Sequence, residues 1–265
     1  MIICLLSITL LVNASKVDTL DVYSNSMNKY IRTCVVTPEN YNEAGESYPV
    51  LYLLTGYSGN YSSWVAGLQI KDLADQYNII MVSPDPGYSS WYFDSPIDST
   101  MRYETFVTSE LIKFIDNEYN TIKSRDGRAV MGLSMGGHGA LYLSMRHQDI
   151  FGAAGSMSGG VDIRPFPNSW DLAKRLGKKE IYPDNWEKNT VFAQLYLVTS
   201  NSLAIIIDCG TEDFFIDANR RLHKEMLYLN IEHDYIERPG GHNAKYWLNS
   251  IPYQVLFFDN FFRRE

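Results

Sequence analysis

Cysteine is scarce, with three residues in 265. Cys4 falls in an apolar N-terminal run, which leaves Cys34 and Cys209, too few for a secreted scaffold held by disulfides. They could pair in an oxidising compartment, but two separate buried thiols are the simpler expectation. Positive charge is also short: 23 Lys and Arg face 31 Asp and Glu, and the formal net charge of -8 disfavours nonspecific binding to nucleic acid or an anionic membrane. The five histidines are scattered with no His-x-x-x-His pair, so metal-ligand spacing is missing and neither metal nor organic cofactor is expected. Internal repeats, low-complexity stretches and Pro/Gly/Ser-rich linkers are missing too, which points to one domain over 15–265. No second hydrophobic run of membrane-spanning length follows the run from Ile2 to Val12, and at about 11 residues that run is itself too short to span a bilayer. It suits a signal peptide over 1–14, cleaved near Val12-Asn13-Ala14, although no basic residue precedes it; the other reading is a buried N-terminal strand. Export to the periplasm or the extracellular space is the matching expectation, without a stable membrane anchor.

What is present describes an α/β protein. Val17–Val36 alternates like one or two strands, and Tyr48–Leu54 is a short continuous apolar run, as expected for a strand buried on both faces. Ile79–Ser83, Arg128–Gly132, Ala153–Ser158, Leu203–Gly210 and His233–Pro239 repeat that theme. Helical spacing marks Met101–Tyr119, Gly137–His147 and Ala218–Leu229, and a last helix within Ala244–Phe262 that Pro252 should start, kink or divide. Strands alternating with helices predict a mostly parallel sheet covered on both faces. Asp162–Thr199 breaks the rhythm with polar, aromatic and proline residues, and reads as an insertion over the sheet.

The chemistry concentrates at Gly132-Leu133-Ser134-Met135-Gly136, a Gly-x-Ser-x-Gly motif between a predicted strand and helix. A serine on so tight a turn adopts strained backbone angles, and side chains on its neighbours would collide with the adjacent elements. The turn lifts the Ser134 hydroxyl beside a helix N-terminus, where unpaired N–H groups favour developing negative charge. A serine hydroxyl needs a base, and the base needs an orienting group. His242, in the glycine-rich loop of "RPGGHNAKYW", is the candidate base; His138, His147, His223 and His233 read as surface or core-edge residues. The acid should follow a strand between Ser and His, which offers Asp213, with Asp217 and Glu212 as alternatives; Asp213 could instead only cap the next helix. For the oxyanion hole the candidates are the backbone N–H groups of Met135 and of Tyr57, after the Thr55-Gly56 turn.

These residues resemble the esterase D-like group of α/β-hydrolases, which includes S-formylglutathione hydrolases, tributyrin-type esterases and carbohydrate esterase family 1 feruloyl and acetylxylan esterases. The likeness rests on "YPVLYLLTGYSGNYSSW", "SWYFDSP", "YETFVTSELIKFID", "MGLSMGGHGALYLSMRHQDIFGAAGSMSG", "DCGTEDFF" and "GGHNAKYW". It implies an α/β-hydrolase fold with Ser134 as nucleophile, His242 as base, Asp213 as acid, and Tyr57 and Met135 as oxyanion donors. It also implies that Trp91 and Tyr92 shape the rim of the substrate site, against the plainer reading that they pack a long loop. Similar members often carry His where this chain has Thr55, which shifts support of the oxyanion loop to a shorter hydroxyl. The expected activity is a serine carboxylesterase acting on small esters or on acetyl or feruloyl groups of plant polysaccharide, the aromatic insertion with Trp170, Tyr182 and Trp186 offering either stacking surfaces or a lid core. The alternatives are a thioesterase of the S-formylglutathione hydrolase type, an acyltransferase using the same triad, and a noncatalytic binding module on a hydrolase fold.

Overall fold

A computed structural model describes residues 15–264; the expected signal peptide over 1–14 lies outside the described residues. Among the described residues, eight strands form one sheet: β1 (Lys16–Ser24), β2 (Lys29–Thr37), β3 (Val50–Leu54), β4 (Ile80–Pro84), β5 (Arg128–Leu133), β6 (Ala153–Met157), β7 (Ala204–Gly210) and β8 (Asp234–Arg238). Their order is β1-β2-β4-β3-β5-β6-β7-β8, with β2 antiparallel to both its neighbours, β1 and β4, and all the other pairs parallel. This is the α/β-hydrolase architecture.

The central strands are apolar on both sides because both sides are covered. Along β3, Val50, Tyr52 and Leu54 face one core while Leu51 and Leu53 face the other. The second core takes α1 (Ser63–Gly67) and α2 (Ile70–Tyr77) through Trp64, Ile70 and Ala74. The first takes a helix that opens as α3 (Tyr103–Thr105), widens to a π-helical turn over Phe106–Leu111 and continues as α4 (Ile112–Glu118). It also takes α5 (Met135–Arg146). The insertion contributes α6 (Leu172–Leu176), α7 (Pro183–Lys188) and a 3-10 turn at Phe192–Leu197, closed around Leu172, Leu176 and the fully buried Trp186. The chain ends with α8 (Ile216–Tyr228) on the first face and α9 (Ala244–Phe262) on the second.

Helices α1 and α2 are not among the expected elements, although Ile70, Leu73, Ala74 and Tyr77 have helical spacing. Two sequence expectations need correction here. Pro252 neither starts nor divides α9, which runs through it as one element. Pro252 is on the exposed face one turn after the partly exposed Leu248, so the carbonyl left without an N–H partner faces the solvent side rather than the core. His138 is fully buried rather than at an edge, because α5 is covered by the Trp91 loop on one side and the insertion on the other. Cys34 and Cys209 are both free and buried. They sit on β2 and β7, five strand steps apart in the sheet, which at about 4.8 Å per step is far beyond disulfide reach.

Candidate active site

The site forms at the carboxyl edge of the parallel strands. Leu54 pairs in register with Gly132, and Leu133 with Met157, so the β3, β5 and β6 loops leave the sheet side by side. Ser134 follows β5 with φ 56° and ψ -117°, a conformation almost reserved for glycine. Its N–H donates to the Met157 carbonyl at 2.9 Å, and its own carbonyl accepts from His138 at 3.1 Å and Gly160 at 3.1 Å, which locks the turn. The glycines around it answer to backbone contact. A Cβ on Gly136 would stand 1.9 Å from the Leu54 carbonyl oxygen, and one on Gly132 would stand 2.2 Å from the Gly136 oxygen. Helix α5 thus starts directly against β3, bringing its N-terminus to the sheet edge.

Ser134, His242 and Asp213 come together. The Ser134 hydroxyl lies 2.9 Å from His242 Nε2, and His242 Nδ1 lies 2.8 Å from Asp213 Oδ2. Asp213 has a side chain 0% exposed, and its other oxygen accepts from the Phe215 N–H at 2.8 Å. The Asp213 carboxylate therefore accepts a hydrogen bond from His242 Nδ1–H, which leaves Nε2 free to accept from serine. The other two acids are elsewhere: Asp217 points to solvent beside Arg220 and Glu212 is exposed. Three aromatic rings enclose the imidazole, with Phe214 at 4.3 Å, Trp247 at 5.1 Å and Phe215 at 5.5 Å between centroids. Below the His242 loop, the buried Asp208 pairs with Arg238 and accepts from the hydroxyls of Tyr246 and Ser250, tying β7, β8 and α9 together.

Two amides remain for a developing oxyanion. Among the described residues, neither the Tyr57 N–H nor the Met135 N–H donates to another protein group. Gly56 brings the first loop against Ser134, since a Cβ there would lie 3.3 Å from the Ser134 Cβ. The Tyr57 side chain turns to the rim, where the neighbouring Tyr88 phenol, burial and the nearby Asp171 carboxylate push its own phenol up to about 12. A cleft of about 410 Å³ opens over Ser134 and His242, walled by Leu68, Leu133, Trp170, Phe214 and Trp247.

Trp91 and Tyr92 do not shape that rim. They are 1% and 0% exposed, because φ values of +54° and +61° turn both side chains inward. The Trp91 indole N–H donates to the Trp170 carbonyl at 3.2 Å, so it props the cleft wall from behind. Of the insertion's aromatics, Trp170 reaches the cleft, Trp186 is core, and Tyr182 is outside the cleft. Phe214 and Trp247, which face the cleft, lie in the stretches "DCGTEDFF" and "GGHNAKYW", but neither has a role assigned from the sequence; their closeness to Asp213 and His242 in the chain is the signal that marks them. Among the described residues, no group of three or more His, Cys, Asp or Glu is placed to hold a metal ion.

Comparison with known proteins agrees with this fold. The Esterase family model matches residues 24–258. An esterase of Mycobacterium tuberculosis is 31% identical over 235 residues, 78% of this chain and 51% of its own length. The chain thus spans about half the length of that relative. A diacylglycerol acyltransferase/mycolyltransferase, Ag85A of Mycobacterium leprae, is 36% identical over 247 residues, 86% of this chain and 72% of the relative. The solved structure of a ferulic acid esterase superposes with a TM-score of 0.82 at 28% identity, covering 94% of this chain and 98% of that one. A serine on a tight strand-to-helix turn, His242 and Asp213 in line behind it and a family match across nearly the whole described chain lead to one conclusion: this chain belongs to the Esterase family of α/β-hydrolases.

Proposed function

We propose that the chain is a serine carboxylesterase working through an acyl-enzyme on Ser134. The observation that carries this reading is the 2.9 Å contact from Ser134 Oγ to His242 Nε2, with Asp213 at 2.8 Å behind it. His242 takes the Ser134 proton as Oγ attacks the ester carbonyl, and the carbonyl oxygen becomes an oxyanion facing the Tyr57 and Met135 amides. Collapse of this intermediate breaks the ester bond, and the His242 proton leaves with the alcohol. Water then repeats the sequence, with His242 as base, and releases the acid. Each oxyanion donor typically contributes about 3 kcal/mol to such a transition state. The cleft favours a short or aromatic acyl group: Phe214 and Trp170 stack at 5.9 Å and 19°, and Phe214 is 55% exposed. Acetyl or feruloyl groups on plant polysaccharide fit this wall, and a solved ferulic acid esterase shares the fold.

Ser134→Ala tests the reading. Hydrolysis of p-nitrophenyl acetate should fall by several orders of magnitude with the circular dichroism spectrum unchanged; full retained activity refutes it. Methyl ferulate, acetylated xylan and S-formylglutathione then rank the substrates, and preference for the thioester overturns the polysaccharide assignment. The likeness to the mycolyltransferase of M. leprae favours a second reading, in which a sugar hydroxyl replaces water. Adding an acceptor alcohol separates the two, since a transferase diverts acyl product to it at concentrations that leave a hydrolase unaffected.

A further inference from the structure

The oxyanion loop is braced from inside the protein by Tyr92. The Thr55 N–H donates to the Tyr92 hydroxyl at 2.8 Å, and that hydroxyl donates to the Thr55 carbonyl at 3.0 Å. One phenol therefore holds both backbone polar groups of the residue two positions before Tyr57. The Thr55 hydroxyl reaches only the Asn60 carbonyl, at 3.4 Å, too long for a firm O–H···O bond. Tyr92 is fully buried, and burial keeps its phenol protonated far above neutral pH, so the donated bond persists. The Tyr92 ring rests on Gly139 of α5, where a Cβ would come within 2.5 Å of ring carbon Cδ2. Met135, the source of the other proposed donor, opens that same helix, and the Trp91 N–H meets its sulfur at 3.4 Å.

We propose that Tyr92 is a positioning residue that sets the spacing between the Tyr57 and Met135 amides around the oxyanion. Its hydroxyl fixes one donor loop, its ring fixes the helix that carries the other, and two successive left-handed residues hold it between them. Without the hydroxyl, the Thr55 N–H and carbonyl are buried and unpartnered, since Thr55 is only 4% exposed. The loop relieves this by rotating, which moves the Tyr57 amide off its target. The apolar walls at Leu133, Trp170, Phe214 and Trp247 lie on other segments and stay in place, so the effect falls mainly on the transition state. This inference rests on the esterase reading.

The test is Tyr92→Phe, with active sites counted by fluorophosphonate labelling. Deleting an oxyanion donor costs about 10² to 10³ in kcat, so displacing one should lower kcat by about 10- to 100-fold and leave KM within about threefold. The Ki of phenylboronic acid, whose tetrahedral adduct puts an oxygen in the hole, should rise by the same factor as kcat/KM falls. Tyr103→Phe, which trims a neighbouring buried ring 6.4 Å away, should change neither. The proposal is overturned if Tyr92→Phe keeps kcat and boronic acid affinity within about threefold of wild type, or if Tyr103→Phe loses as much. Should Tyr92→Phe not fold, hydrogen exchange on the wild-type protein decides: a protected Thr55 amide supports the brace, and exchange at the rate of exposed loop amides overturns it. An active Ser134→Ala variant defeats the esterase reading, whereas an inactive one beside an unaffected Tyr92→Phe defeats only this inference.

Discussion

Replacing Asp213 by Asn tests the proposed triad at its most buried point. Two donors converge on Asp213, the Phe215 N–H on one oxygen and His242 Nδ1 on the other, each at 2.8 Å, and the side chain is 0% exposed. Asparagine keeps the shape but has one oxygen and one NH2. If the oxygen stays with Phe215, the NH2 points at Nδ1, which must then accept, and the imidazole proton moves to Nε2. In that tautomer His242 cannot take a proton from Ser134. The opposite orientation sets two donors face to face in a dry site, at a cost of about 1–3 kcal/mol for the group left unsatisfied, so the unproductive tautomer prevails. The expected loss is about 10⁴ in kcat, or about 5.4 kcal/mol of transition-state stabilisation. KM should hold, because Asp213 is absent from the cleft wall. The assay is initial-rate hydrolysis of p-nitrophenyl acetate over a range of concentrations, beside Asp217→Asn. Asp217 has a side chain 84% exposed and 3.9 Å from Arg220, so that variant should stay within about twofold of wild type, as exposed pairs contribute little. An Asp213→Asn enzyme with more than about a tenth of wild-type kcat, or an Asp217→Asn enzyme with the larger defect, refutes the assignment.

Two further outcomes follow from packing and burial. Gly136→Ala sets a Cβ 1.9 Å from the Leu54 carbonyl oxygen, a clash with backbone that only separation of α5 from β3 relieves, so it should cost about 3 kcal/mol or more and show as a depressed Tm or as insoluble protein. Burial holds the His138 ring down at about 4, so the unfolded chain binds the extra proton below pH 6.5; stability is full above that pH and is lost as pH falls toward 4, by at most about 3 kcal/mol. Urea midpoints at pH 7 and pH 5 should therefore draw closer together in His138→Gln than in wild type, and equal spacing counts against the assignment.

The parts of the site legible in the sequence are those whose constraints are local. Gly132 and Gly136 sit where backbone meets backbone, and residue type alone declares that. His242 and Asp213 each follow a strand whose apolar run marks where the sheet ends. Trp91 and Tyr92 were not legible in the same way. Whether an aromatic faces the cleft or the core depends there on two left-handed φ values, and no glycine or asparagine announces them. His138 has the same difficulty: its burial comes from the Trp91 and Asn189 carbonyls, 47 and 51 residues away in sequence. Nor does the sequence announce the buried Asp208 network, whose partners come from β8 and α9. Pro252 misled for the converse reason, since the residue rule for helix interiors is weakest on a solvent-facing turn.

Backbone strain links these observations. Among the described residues, besides turn asparagines and Gln69, the positive-φ residues other than glycine are Ser58, Tyr88, Trp91, Tyr92, Ser134, Ser158, Trp170 and Asp171, which belong to the elbow or to segments around the cleft. Such residues cost on the order of 1–3 kcal/mol each and persist only where surrounding structure enforces them. At Ser134 the strain is separable from chemistry, because Ser134→Ala and Ser134→Gly both lack the hydroxyl. At an ordinary position alanine wins by about 0.5–1 kcal/mol, since glycine loses more conformational freedom on folding. At φ 56° and ψ -117°, alanine retains a penalty of about 2 kcal/mol that glycine escapes. Glycine should therefore reverse the usual ranking and exceed alanine by about 1 kcal/mol, read as the difference between their urea midpoints. If alanine proves equal or more stable, the elbow is not strained, and its glycines serve close packing alone. If glycine wins, the nucleophile is held in place by the sheet and α5 against its own backbone preference, and the stability surrendered there is what keeps Oγ within reach of His242.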